Sequence, residues 1–345
     1  MRLPGFAAFL TAIAVISIPA LAYEIEDERL FEIPSGQTTI RVISTADLEV
    51  FAPLIAEFQS GNATFNVHYT QVGSSALMQA LYDENAQFDV AISSAMDLQT
   101  KLANDGFART HRSPQTELLP DWARWRDQVF SFTQEPAVLI VSNGALDGLQ
   151  IPANRQDLIA LLRDNPSRFD GRIGTYDIRQ SGLGYLFATQ DARNSESFWR
   201  LTEVMGRLGA KLYCCSSEMI AAVANGELAL AYNVLGSYTT SLAEAESNVD
   251  IVLLEDYANL MLRTALIPAT VENITGAEAF IDFLVAPATR PLIRRLTGLP
   301  PLDPEGIADQ AAFRPIRLGP GLLVYLDRVK RETFLREWIS AIEQP

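Results

Sequence analysis

Hydroxyl side chains recur in this sequence where an extended apolar run gives way to helical spacing. Ser44-Thr45 follows Thr38 to Ile43, Gly73-Ser74-Ser75 follows Phe65 to Val72, and Ser93-Ser94 follows Phe88 to Ile92. Ser181-Gly182 opens a further helical stretch, shortly after the run Gly171 to Tyr176. The first N–H groups of a helix lack intrahelical partners, and the helix dipole favours negative charge at that end. Hydroxyls beside such N–H groups would hold a small anion without any bulk positive charge. Taken one at a time, each of these residues is an ordinary N-cap, because Ser and Thr are favoured there. As a set placed at strand ends, Ser44, Thr45, Ser74, Ser75, Ser93, Ser94, Ser181 and Gly182 form a candidate anion site.

Several other residues could join them. Arg179 sits just before Ser181-Gly182, where its guanidinium would grip a carboxylate or phosphate bidentately; the plain alternative is a solvated loop arginine. Arg263 lies in the apolar run Leu260 to Ile267, and either reaches the site or pairs with a carboxylate such as Glu135. Tyr176, Tyr232 and Asn233 end extended runs and could bond a ligand hydroxyl, although a buried tyrosine with a satisfied hydroxyl is equally ordinary. Cys214 and Cys215 are adjacent and precede Ser216-Ser217 at another helix start. They read either as a vicinal disulfide stiffening that turn, with Ser216 as a ligand contact, or as two small buried hydrophobes. Trp122 and Trp125 read as packing residues, His68 as a strand residue and His111 as an exposed loop residue.

The counts exclude other chemistries. Two cysteines and two histidines leave no Cys-rich zinc site and little His-based metal chemistry, so neither metal nor cofactor is expected. No G-x-S-x-G elbow, H-E-x-x-H helix or P-loop occurs, so no enzyme motif stands behind a catalytic role. The chain carries 27 Lys and Arg against 42 Asp and Glu, a net charge of −15, which argues against nucleic-acid binding. With 48% hydrophobic residues over 345 positions, the chain is long and apolar enough for two packed units.

The elements that must position these residues follow from periodicity. Strands at 38–43, 65–72 and 88–92 alternate with helices after each, which implies βαβ units around a parallel sheet. In such sheets ligands sit outside the carboxyl ends of the strands, where the hydroxyl turns fall. The stretch Gln128 to Ser142, broken at Glu135-Pro136, reads as two strands passing end to end between lobes, and Leu260 to Ile267 as a second crossover. The apolar stripe Leu322, Leu326, Val329, Phe334 and Trp338 predicts one long helix over 321–342, docked on the first lobe or offered to a partner. At the N-terminus, Arg2, the apolar run Phe6 to Ile18 and Ala20-Leu21-Ala22 match a cleaved secretory signal over residues 1–22. The expected location is therefore outside the cytoplasm.

The order of parts resembles the periplasmic substrate-binding proteins of ABC transporters, in the ferric-iron-binding-like cluster of the type II fold. The resemblance is carried by TTIRVISTADLEVFAPLIAEF, QFDVAISSAMDLQTKLANDGF, NGELALAYN and TALIPATVENITGAEAFIDFL, and covers nearly all of the chain after residue 22. It implies an α/β architecture of two lobes joined by two crossover strands, with the ligand cleft between them. Lobe one would comprise 23–136 and 263–345, including the C-terminal helices, and lobe two 137–262. The implied role is that of a monomeric solute-binding protein capturing a small organic anion, phosphorylated members being among the relatives, for an ABC permease in the inner membrane. A ligand-sensing partner of a sensor histidine kinase is the alternative. Iron-binding members carry adjacent tyrosines where this chain reads Ala231-Tyr232-Asn233, which places ferric iron third, with Tyr238 as a further tyrosine.

Overall fold

The computed structural model describes residues 23–238, 249–308 and 310–344; the expected signal segment lies outside them. Two seven-stranded mixed sheets with flanking helices build the two lobes. The first part of lobe one runs β1 (Ile25–Phe31), β2 (Thr38–Ser44), α1 (Leu48–Gly61), β3 (Phe65–Val72), α2 (Ser74–Met78), β4 (Val90–Ser93) and α3 (Met96–Asn104). β5 (Arg124–Trp125) and β6 (Val129–Ser131) follow, and β7 (Glu135–Ser142) enters lobe two. There the chain forms α4 (Arg155–Asp164), α5 (Pro166–Phe169), β8 (Ile173–Tyr176), α6 (Gly182–Asn194), α7 (Ser197–Arg207) and β9 (Lys211–Tyr213). α8 (Ser216–Ala224), β10 (Leu230–Leu235), β11 (Val249–Val252) and β12 (Ala258–Met261) complete that passage. β13 (Thr264–Leu266) returns to lobe one, followed by α9 (Ile274–Val285), α10 (Arg290–Thr297), α11 (Pro304–Ala308), β14 (Phe313–Pro315) and α12 (Arg328–Ile342).

The first sheet has the order β1-β3-β2-β4-β13-β6-β5, with β3, β2 and β4 parallel as the alternation requires. These central strands are apolar and buried: Ile40, Val42, Ile43, Val90, Ala91 and Ile92 are all sealed between helices. The sheet is mixed rather than purely parallel, because β1 and β13 join it antiparallel. β1 was not expected. Its sequence IEDERLF is charged and mostly exposed, a composition suited to an edge strand but unlike a core one.

The chain crosses between lobes at Phe132–Gln134 and again at Leu262-Arg263, where β6 passes into β7 and β12 into β13. The C-terminal part departs from its expected place on lobe one. β14 pairs parallel to β12 in the second sheet, and α12 packs on α7 of lobe two. There Phe334 lies among Phe198, Trp199, Tyr185 and Tyr325.

The long helix over 321–342 is also interrupted. Pro320–Leu326 is a 3-10 turn against α3, and Asp327 then caps α12 by accepting from the Lys330 N–H. Val329, assigned to the apolar stripe, is 62% exposed, because the break turns the two segments onto different surfaces. His111 differs from expectation as well: it is buried, with Nε2 2.8 Å from Asp282 Oδ1 on α9.

Candidate functional site

Strand ends and helix starts of both lobes meet around a cavity of about 80 Å³. Lobe one lines it with Glu26, Thr45, Asp47, Gly73, Ser74 and Ser94; lobe two does so with Tyr176, Gln180, Ser181, the 214–217 turn and Tyr238. The lobes touch at its margin. Ser75 Oγ donates to the Gln180 carbonyl at 2.5 Å, the Gly182 N–H donates to Ser74 Oγ at 2.8 Å, and the Asp47 N–H reaches Tyr238 Oη at 3.4 Å.

In lobe one the hydroxyl pairs divide their labour. Ser44 and Ser93 are the last residues of β2 and β4, and their hydroxyls accept from the N–H groups of Ala46 and Ala95. Both are buried in their own turns and do not line the cavity. Successive side chains of a strand point to opposite faces, so the next residues face the cleft. Thr45 Oγ1 lies 3.3 Å from Ser94 Oγ and accepts from the Ser94 N–H at 3.1 Å. Asp47, at the start of α1, makes no side-chain cap bond. Burial pushes its carboxyl up from the usual range, with the Arg263 charge partly opposing the rise.

In lobe two, Tyr176 ends β8 with its hydroxyl 2.5 Å from Ser216 Oγ, and Ser216 Oγ also accepts from the Leu235 N–H. Burial drives the Tyr176 phenol far above its ordinary value, so it stays protonated. Ser181 caps α6 by accepting from the Gly184 N–H at 3.1 Å. Gly182 lies in close approach to lobe one: a Cβ there would fall 2.7 Å from Leu98 Cδ1 and 2.9 Å from Ser74 Oγ, so those side-chain tips would have to move. Cys214 and Cys215 are disulfide-bonded to each other, with Cα atoms 3.8 Å apart, and both line the cavity.

The structure places four other expected residues away from the cavity lining. Arg179 grips Asp177 through Nε and Nη2 at 2.8 and 2.7 Å, and Glu343, just past the end of α12, through Nη1 at 2.6 Å. Burial alone would raise Asp177, but these bonds outweigh it and hold the carboxyl below the usual range. The guanidinium is thus already occupied by carboxylates. Tyr232 and Asn233 sit where the register of β10 shifts against β7, with Asn233 at φ 62°. A bulge re-aims its side chains, and both donate to Asp191 Oδ2, at 2.8 and 2.7 Å, inside lobe two. The Arg155 Nε–H donates to Tyr232 Oη at 2.7 Å and completes that buried network.

Arg263 lies in the second crossover and pairs with Glu135 of the first, at 2.9 Å for Nε–Oε1 and 3.1 Å for Nη2–Oε2, both residues fully buried. Of the two alternatives read from sequence, the hinge pairing is the one formed. Its third nitrogen, Nη1, has no hydrogen-bond partner among the described residues, and the guanidinium lies 5.8 Å from the ring centroid of Tyr238, which lines the cavity.

Glu26, Asp47, Gln180 and Tyr238 were not singled out for an anion site. Asp47 lies two residues past Thr45 and Gln180 lies beside Ser181, so the turns themselves carried the signal. Glu26 belongs to the unrecognised edge strand, which left nothing to mark it. Among the described residues, no cluster of His, Cys, Asp and Glu could hold a metal ion, and no helix is long and apolar enough to cross a membrane.

The family model described as bacterial extracellular solute-binding protein matches residues 40–296. The substrate binding protein of an ABC transporter from Agrobacterium tumefaciens is 32% identical, covering 93% of this chain and 99% of its own, at a TM-score of 0.88. The periplasmic binding protein AfuA from Actinobacillus pleuropneumoniae, solved with fructose-6-phosphate, is 15% identical over 90% of this chain and 100% of its own, at 0.74. Iron-bound HitA from Pseudomonas aeruginosa is 17% identical over 88% and 99%, at 0.69. The last two share the fold.

Proposed function

Because the chain belongs to the bacterial extracellular solute-binding protein family, we propose that it captures a small organic anion between its lobes and delivers it to an ABC importer. The solute-binding role outside the cytoplasm comes with the family. The importer follows the relative from Agrobacterium tumefaciens, itself the binding component of such a transporter. No comparison favours the sensor-kinase alternative.

One observation carries the choice of an anion. The starts of α2, α6 and α8 converge on a cavity whose hydroxyls come from Thr45, Ser74, Ser94, Tyr176, Ser181, Ser216, Ser217 and Tyr238. Hydroxyls and helix-start N–H groups donate to oxygen without needing a mobile cation. The Arg263 guanidinium, 5.8 Å from the Tyr238 ring centroid, adds a fixed positive charge near them. It is offset by Glu135 but keeps one nitrogen, Nη1, free of partners among the described residues. Phosphate esters and carboxylates both fit this donor set. The iron reading loses one of its expected ligands, because the Tyr232 hydroxyl is bonded inside lobe two rather than turned to the cleft.

Glu26 and Asp47 favour a second reading, a solute that carries a positive group, because both carboxylates line the same cavity. A thermal-shift screen separates the two. Binding stabilises the folded chain by RT ln(1 + [L]/Kd), about 2.7 kcal/mol at a hundredfold excess over Kd. The expected result is a rise in Tm with phosphate esters or carboxylates. A rise confined to polyamines or ferric salts would overturn the anion reading.

A further inference from the structure

The Cys214–Cys215 disulfide lines the cavity wall, yet the capture of an anion does not by itself require it. A disulfide stabilises a fold chiefly by closing a loop in the unfolded chain, and its contribution grows with loop length. Between neighbouring residues that loop is the shortest a chain can form, so global stability is the weakest reason for this bond. Its effect is local. The bridge closes a small ring through the peptide joining the two residues and removes most of that peptide's freedom.

The location gives this local effect a target. The turn joins the end of β9 to the start of α8, and Cys215 is the N-cap of α8 in extended conformation, with no side-chain cap bond of its own. The next residue, Ser216, ties three elements together: its Oγ bonds Tyr176 Oη at the end of β8, accepts from the Leu235 N–H at the end of β10, and opens α8. On the other flank, the Asp177 N–H donates to the Tyr213 carbonyl at 2.8 Å. The free N–H groups of the first turn of α8 therefore point where the 214–216 backbone sets them. Ordinarily an N-cap side chain fixes that turn; here a covalent bridge stands in its place.

We propose that the Cys214–Cys215 disulfide is a positioning element of the ligand cleft, holding the first turn of α8 and Ser216 in the geometry that receives the solute. Both of its residues line the cavity wall, and it takes no part in any reaction. This role rests on the cleft being the binding site, but not on the charge of the solute.

The test compares the oxidised protein, the protein reduced with tris(2-carboxyethyl)phosphine, and the C214A/C215A variant. Hydrogen exchange reads the turn without any ligand. The Leu235 amide, bonded to Ser216 Oγ, and the Met219 amide, which closes the first helical turn, are expected to exchange about tenfold faster once the bridge is broken. Strands β2 and β4 in lobe one should be unchanged and Tm nearly so. Titration with inorganic phosphate is expected to show about tenfold weaker binding in both bridgeless forms.

Unchanged exchange at Leu235 and Met219 after reduction overturns the proposal, as does finding two free thiols in the purified protein. Faster exchange with unaltered phosphate affinity also overturns it, since the turn would then be loosened without consequence for the cleft. If the oxidised protein shows no phosphate binding, the thermal-shift screen supplies the solute for the same comparison. The exchange result still decides whether the bridge holds the turn, so failure of the anion reading and failure of this proposal remain distinct.

Discussion

At the hinge, Glu135 receives Arg263 through two nitrogens, Thr133 through Oγ1 and Ser237 through its hydroxyl, all inside the protein. In the cleft a few residues away, Thr45 and Ser94 lean on each other at 3.3 Å, and the Asp47 N–H reaches Tyr238 Oη at 3.4 Å. The two regions draw on similar polar residues for opposite ends. Charges at the hinge are paired geometrically and cannot be exchanged without leaving a bare ion behind. Hydroxyls at the cleft can rotate, donate or accept, and an entering solute can replace their partners without loss. A two-lobed binder needs both: connections that keep one geometry, and a mouth whose bonds are provisional.

The largest expected effect comes from breaking the hinge. Glu135→Ala leaves the Arg263 guanidinium buried without its carboxylate and should cost about 3–5 kcal/mol, read by urea unfolding. Replacing both residues with apolar ones of similar size should cost much less. Equal losses for the single and double variants would show that packing, not charge pairing, holds the crossover.

Asp97 tests a third arrangement, a charge that is neither paired nor exchangeable. It lies in the first turn of α3, which packs against α6 of lobe two and the 320–326 turn, and it is 3% exposed. Its Oδ1 has no partner among the described residues. Burial pushes its carboxyl up from 3.8 to about 7, against the lowering effect of the Leu98 N–H and the Arg331 charge. Between those values the folded chain holds a proton that the unfolded chain releases. Stability should therefore fall as pH rises through that window and level off above it. Asp97→Asn should remove the slope and gain about 2–4 kcal/mol at pH 8, with little change near pH 4. A variant as pH-dependent as the parent would place the titrating group elsewhere.

A smaller effect is expected where the lobes meet. Gly182→Ala puts a methyl group against Leu98 and Ser74, so the closed arrangement should lose about 1–3 kcal/mol. Small-angle scattering should report a larger radius, with anion affinity reduced in proportion. An unchanged radius would mean that Leu98 yields and Gly182 is not needed for closure.

Much of lobe one was legible because hydrophobic alternation and helical spacing are local. β3 matches the expected 65–72 to the residue, and the parallel trio β3-β2-β4 follows from the alternation itself. The edge strand β1 was not legible, since an edge position tolerates the charged residues that conceal it. The candidate site was legible as a set of turns but not in its members. Ser44 differs from Thr45, and Ser93 from Ser94, only in which face of the strand end each occupies. Tyr232 and Asn233 were read as a strand end facing the cleft, and a bulge turned them inward to Asp191.

By itself, then, the sequence determined the alternating α/β architecture, the two crossovers and the concentration of hydroxyls at helix starts, because each is written in neighbouring residues. Only the tertiary structure decided the employment of the arginines. Arg179 is taken by Asp177 and Glu343, and Arg263 by Glu135. These carboxylates are distant in sequence or placed by a turn, and pairing follows distance in space. It likewise decided that the C-terminal helix belongs against α7. Gly206 admits the backbone of Ala341 there, where a Cβ would stand 2.5 Å from its carbonyl oxygen. An apolar stripe specifies that a helix must be covered, while the surface that covers it is chosen by shape.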